Sequence, residues 1–137
     1  MDIFVVRFIK LSFVYLLLGS ILGVLFLYNS SFKNLLFVHS HFNLLGFVSM
    51  MIFGVGYHVL PRFRGKELYS KPMANLQFWT ANIGLVGMAI FYTLSVYGNV
   101  KFAETLLILF GIVMVVSILL FVINMLATFR EDNSENT

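Results

Sequence analysis

The residues of this 137-residue chain best suited to chemistry are its three histidines, His39, His41 and His58. All fall in one stretch, HSHFNLLGFVSMMIFGVGYHVLPRFR, residues 39–64. The stretch is apolar enough to cross a bilayer. An ionisable residue inside hydrocarbon is costly, so each histidine there needs a partner or a function. Neutral imidazole is the commonest metal ligand. Two residues apart on a helix, His39 and His41 point roughly 200° from each other. They therefore cannot bind one iron from the same helix. His41 and His58 are separated by about 25 Å of helix axis and cannot share a haem either. If the metal is haem iron, three arrangements remain: a five-coordinate site, a non-histidine sixth ligand, or a haem shared between two copies of the chain. The last would give a histidine-poor chain a reason to form a homodimer.

The neighbours of these histidines set expectations for each. His41 shares a helical stripe with Leu45, Val48, Ile52 and Val59, an apolar face suited to a porphyrin edge. His39 is followed at helical spacing by Asn43, Gly46, Met50 and Gly54, a smaller and more polar face suited to helix contact. Asn43 is a candidate for orienting an imidazole, since metal-bound histidines are held through their second nitrogen. His58, beside Tyr57, reads first as an interfacial residue and second as another metal position. A copper site at His39 and His41 with methionine help suits soft-ligand chemistry. It ranks below haem because the seven methionines are scattered. Met88 and Met114 lie at depths that do not suit a sixth iron ligand beside His41.

Composition limits the rest. Only 11% of residues are charged and 60% are hydrophobic, with a mean hydropathy of +0.94. A soluble domain carries about 25% charged residues, so the expectation is an integral membrane protein. The net charge of +3 then bears on orientation rather than on nucleic acid. With no cysteine in the chain, thiolate-ligated haem, covalently attached haem and cysteine-bound clusters are excluded. Every carboxylate (Asp2, Glu67, Glu104, Glu131, Asp132, Glu135) sits in a loop, at an end or in the tail, which gives polar-side-chain catalysis no buried pair to use.

Four apolar runs must position the histidines. They predict helices over about 5–28, 35–60, 73–97 and 102–129, in one domain covering 1–137. The fold class expected is an all-α integral membrane protein, an antiparallel bundle of four transmembrane helices. The first run is long for a signal peptide and has no small-residue cleavage site after it. Gly19 and Gly23 form a G-x-x-x-G spacing, which serves either ordinary small-residue packing or a homodimer seam. Pro61 is expected to end the second helix. The third is expected to begin amphipathically, with Asn75, Gln77 and Trp79 near the interface. Ser117 and Asn124 are the main polar residues inside the fourth. The tail after Phe129 is polar and acidic and is expected to fray.

Of the nine Lys and Arg residues, seven lie at the two ends or in the central loop. Only Lys33 and Lys101 lie in the other two connections. The positive-inside rule therefore places both termini in the cytoplasm, with His39 and His41 near the outer face and His58 near the inner one. Lys33 and Asn34 then share the outer turn with the histidine pair, at the depth where haem propionates would emerge.

Two motifs add a family resemblance. His41-Phe42-Asn43-Leu44-Leu45 and Phe53-Gly54-Val55-Gly56-Tyr57-His58-Val59-Leu60-Pro61 resemble the second transmembrane helix of subunit I of the haem–copper oxidases. The C-type oxidases and nitric oxide reductases are the nearest in pattern. Leu68-Tyr69-Ser70-Lys71-Pro72 and Gln77-Phe78-Trp79-Thr80-Ala81-Asn82-Ile83-Gly84 resemble the loop and helix that follow. The resemblance covers roughly residues 37–90. It implies that His41, at the H-x-N position, is an axial ligand of a low-spin haem b. His39 and His58 have no clear counterpart in that pattern. It also implies a bacterial or archaeal inner membrane. No histidine follows His58, so the second haem ligand and copper ligands of the family's binuclear centre have no counterpart.

The expected function is a small membrane haem b protein for electron transfer, or for haem or gas handling, and not an enzyme. His41 is the expected iron ligand, with His39 second and Asn43 beside them. The haem is held non-covalently, and the expected assembly is a homodimer in lipid. The alternatives are a haem-delivery or assembly factor for a larger oxidase, and a copper-binding membrane protein.

Overall fold

The computed structural model describes residues 2–98 and 100–130. Four helices long and apolar enough to cross a membrane run antiparallel: α1 (Ile3–Tyr28), α2 (Ser30–Phe63), α3 (Lys71–Tyr97) and α4 (Ala103–Phe129). The protein is an all-helical membrane bundle. Apolar side chains such as Leu17, Leu27, Ile108 and Leu126 are more than half exposed, as a lipid-facing surface requires. The acidic tail and Asn99 lie outside the described residues.

The ends of the chain and the central loop meet at one face of the bundle. Arg7 of α1 donates to Asn75 of α3 (3.4 Å). Arg64 and Lys66 of the central loop donate to the carbonyls of Phe129 (3.0 Å) and Arg130 (2.8 Å). At the other face, the Tyr97 hydroxyl at the end of α3 donates to the Ser31 carbonyl (2.9 Å). Seven of the nine cations therefore share one face, the pattern on which the inside assignment rests.

Helix α2 departs from expectation at both ends and in its middle. It opens with a 3₁₀ segment (Ser30–Leu35), whose start is capped by Asn29 accepting from the Ser31 amide. A short α segment (Leu36–His41) follows, then a π-type segment (Phe42–Ser49), then α again (Met50–Phe63). Pro61 does not end the helix; it lies inside it, and the helix runs on to Phe63. A proline this near the end removes only one ladder bond. The stop is Gly65, whose φ of +64° places it in the left-handed region. The Gly65 amide donates to the Arg62 carbonyl and the Lys66 amide to the Pro61 carbonyl (both 3.0 Å). That pair of bonds is the Schellman closure that glycine makes inexpensive.

Helix α3 begins where Ser70 accepts from the Met73 amide (3.2 Å), with Pro72 in its first turn. Gln77 is not interfacial: it is completely buried. Both polar atoms of its side chain lack a partner among the described residues. Near the C-terminal end of α4, Thr128 links the bundle to the loop by accepting from the Tyr69 amide (3.1 Å). Asn124 itself, fully buried, accepts from the Ser70 amide (3.0 Å) and donates to the Ser70 carbonyl (2.8 Å). This two-way bond fixes the loop to α4. Removing it takes the partner from the part-buried Ser70 amide, while the Ser70 carbonyl still accepts from the Ala74 amide (3.2 Å), so Asn124→Ala is expected to destabilise the bundle by about 1–2 kcal/mol. A lowered thermal midpoint in detergent checks this; an unchanged midpoint would show that water replaces the amide without loss.

The core is richest where α1, α2 and α3 meet. Phe8 is fully buried and packs edge-on to Phe53 (5.9 Å) and Phe78 (5.1 Å). Tyr57 meets Phe4 edge-on at 5.7 Å. Deeper along α1, the Tyr15 hydroxyl donates to Asn82 Oδ1 (2.8 Å), and Asn82 in turn donates to the Phe78 carbonyl (2.6 Å). Polar groups inside the bundle are thus mostly paired across helices, as hydrocarbon surroundings demand.

Candidate functional site

His39 and His41 stand at the end of the bundle away from the basic face and turn to different neighbours. The His39 Nδ1–H donates to the Gly19 carbonyl of α1 (2.8 Å). Because a carbonyl only accepts, the proton must sit on Nδ1. The His39 ring lies 5.3 Å from that of Phe26. A Cβ at Gly23 would come within 3.3 Å of it. Asn43 donates to the His39 carbonyl (2.9 Å). Its amide nitrogen is also nearly equidistant from the two ring nitrogens, at 3.5 and 3.4 Å. An atom so placed rests against the imidazole face and is aligned with neither lone pair.

The G-x-x-x-G pair is therefore used within the chain. Gly19 makes room for Asn43, whose amide a Cβ there would meet at 2.7 Å, and Gly23 makes room for His39. Farther down the same face, Gly46 admits Tyr15 and Gly54 admits Phe8 and Ile9. The expected contact face of His39, Asn43, Gly46, Met50 and Gly54 is the α1 interface.

His41 faces elsewhere. Its Nδ1–H donates to the Phe37 carbonyl one turn back (2.8 Å). Its ring stacks on Phe37 (centroids 3.8 Å, 29°), and Phe37 stacks on Tyr92 of α3 (4.3 Å, 17°). The imidazole thus has a fixed tautomer and a fixed plane, and its Nε2 carries the lone pair. The stripe expected below His41 does not hold together. Leu45 packs on the core, while Val48 and Ile52 are 42% and 56% exposed.

An apolar cavity of about 500 Å³ opens beside this segment, between α1, α2 and α3. Val38 and Phe42, on either side of His41 in sequence, line it with Leu22, Val86 and Ile90. Its size falls within the range of small-molecule and cofactor sites. Lys33 and Asn34 are exposed in the neighbouring turn. Among the described residues, no three His, Asp or Glu side chains come together as a metal group.

His58 belongs to the opposite end. Arg62, one turn on, donates to its Nδ1 and to its carbonyl (2.8 Å for the latter). A guanidinium on one nitrogen leaves only Nε2 free, as the protonated nitrogen of a neutral ring.

Four apolar helices of membrane-spanning length packed as one all-helical bundle define a class: an integral membrane protein. The chain belongs to the family of cytochrome c and quinol oxidase polypeptide I, which it matches over residues 3–137. It is a membrane protein related to the haem–copper oxidases, whose members bind haem and copper. The match extends well beyond the 37–90 stretch that carried the resemblance. No curated protein and no solved structure matches the chain.

Proposed function

We propose that the protein is a non-covalent haem b carrier in which His41 Nε2 is the iron ligand. The observation that supports this most is the His41 Nδ1–H bond to the Phe37 carbonyl. A hydrogen bond from the far nitrogen fixes the tautomer and raises the basicity of the ligating one. Phe37 and Tyr92 hold the ring plane, and the 500 Å³ apolar cavity is lined by Val38 and Phe42 of the same segment. A bound haem b would supply one-electron transfer or the binding of a small gas.

His39 plays a different part in this reading. Its Nδ1–H is bonded to α1 and Asn43 covers its face, so it fastens α1 to α2. Asn43 acts through His39 rather than on iron. The chain then offers one iron ligand, and the other axial position falls to a second copy of the chain or to a small ligand. A homodimer sharing haem and an open gas-binding site are the two forms this takes.

The test is the visible spectrum of the protein purified in mild detergent, with a pyridine haemochrome count. A bound b-type haem is expected. A sharp reduced α-band indifferent to carbon monoxide means two strong ligands and favours the shared site. A broad spectrum that shifts with carbon monoxide means an open position. No haem after reconstitution would overturn the proposal. A haem that passes readily to an acceptor protein would favour delivery over electron transfer.

A further inference from the structure

Three buried polar side-chain atoms have no hydrogen-bond partner among the described residues. They are the hydroxyl of Tyr57 and both ends of the Gln77 amide. Tyr57 is 4% exposed and Gln77 is fully buried. In a bundle sheathed by hydrocarbon, an unpaired amide is among the most costly groups to keep. Elsewhere in the core such groups find each other. Tyr15 donates to Asn82 (2.8 Å), and Asn124 bonds Ser70 both ways.

The two side chains belong to one polar layer. Tyr57 lies near Asn124 of α4. Asn124 holds Ser70, the residue that caps α3. Gln77 stands seven residues beyond Ser70 and so shares its face of the helix. A long helical side chain leans toward the helix N-terminus, which carries the Gln77 amide back toward the Ser70–Asn124 bond. Ser117 fixes the same stretch of α3 from α4 by donating to the Gln77 carbonyl (3.2 Å). Tyr57 also forms part of the wall of a cavity of about 320 Å³ at the basic face, with His58, Arg62 and Glu67. The layer therefore adjoins the aqueous side of the membrane.

The chemistry of these groups selects the occupant. The Gln77 amide offers two donors and an acceptor oxygen, and the phenol both donates and accepts. The ligand must then do both as well. It is neutral, because the buried polar residues (Ser12, Gln77, Ser117, Asn124 and Thr128) carry no charge. It is small, because α3 and α4 are in close contact two turns further on, where a Cβ at Gly84 would lie 2.8 Å from the Met114 amide nitrogen. Water meets all three conditions, and a buried water typically makes about three bonds to groups of this kind.

We propose that this layer is an internal water site, in which water bonds to the Gln77 amide and joins it to the Tyr57 hydroxyl. The bridge ties α2 to α3 through solvent. It gives a function to a glutamine placed deeper than its polarity alone would put it. The site stands apart from the haem reading and shares no residue with it.

Gln77 is the only glutamine in the chain, so nitrogen-15 glutamine labelling of the full chain in detergent isolates one side-chain amide. Cross-peaks from its protons to the water line are expected in nitrogen-edited NOESY and ROESY spectra. They are expected to persist in Ser117→Ala and in Tyr57→Phe, since the amide keeps its need for a partner. Absence of the cross-peaks would overturn the proposal. So would their loss in either variant, which would trace them to exchange of a hydroxyl proton. The bridge itself is read by a double-substitution cycle in SDS unfolding, with circular dichroism checking that each variant folds. Tyr57→Phe and Gln77→Met are each expected to lower the folded-to-unfolded ratio. Their combined loss is expected to fall short of the product by at least about twofold, the lower end of coupling within one network. Losses that simply multiply would overturn the bridge. A gain in stability from Gln77→Met would mean an amide buried dry, and would overturn the site.

Discussion

His41→Ala is expected to lower haem affinity by about 100-fold or more, because losing even an outer partner of a metal ligand costs 10–100-fold. The haem-to-protein ratio after purification reads this directly. The change removes an imidazole whose only polar bond among the described residues is to the Phe37 carbonyl of its own helix, so the fold is expected to persist. Added imidazole should then enter the vacated space and restore part of the reduced spectrum. His39→Ala is expected to do the reverse. It breaks the bond to the Gly19 carbonyl and loosens α1 on α2, lowering the thermal midpoint, while the folded fraction keeps its haem. If His39→Ala removes haem and His41→Ala does not, the two roles are exchanged and the proposed ligand is wrong.

Gly84→Ala is expected to cost about 2–3 kcal/mol, the upper part of the range for overpacking. The added Cβ would lie 2.8 Å from the Met114 amide nitrogen and 3.0 Å from its Cα. Both are backbone atoms of α4 and cannot swing aside. The two helices must separate, and with them the Gly87 seat of Phe110. Gly111→Ala on the same interface is the control. There the nearest atom is the flexible Met88 sulfur at 3.7 Å, an ordinary contact. Denaturation in detergent should show a clear loss for the first and little for the second; equal losses would mean that helix separation is not what the glycine prevents.

Much of this architecture was legible in the sequence because hydrocarbon imposes a simple rule on long apolar runs. The four spans and the opposite directions of His39 and His41 follow from length and helical angle alone. The small-residue face of α2 was also legible, since Gly46 and Gly54 stand at the spacing of one contact line. What failed depends on partners. Pro61 looked like the stop, but the helix ends where Gly65 can turn left-handed, and the sequence offered that glycine as a signal. Gln77 looked interfacial by polarity, yet it is fully buried, with its carbonyl accepting from Ser117 of α4. The stacking of Tyr92 on Phe37 joins residues 55 positions apart and has no local signature. Nor has the π segment, whose residues Phe42–Ser49 read as ordinary helix.

That segment has a mechanical meaning. A π turn carries more chain per revolution, so it acts as a phase joint between two lengths of one rod. The lower length is keyed to the core by Phe53, Gly54 and Tyr57, and the upper one is keyed to Gly19 of α1 by His39 and to Tyr92 of α3 by Phe37. In an unbroken α rod the azimuth of His41 would be dictated by how Tyr57 packs. With the joint, each end can be indexed to its own neighbours, and the end that carries His39 and His41 can be re-aimed by one residue gained or lost between 42 and 49 while the far end stays locked.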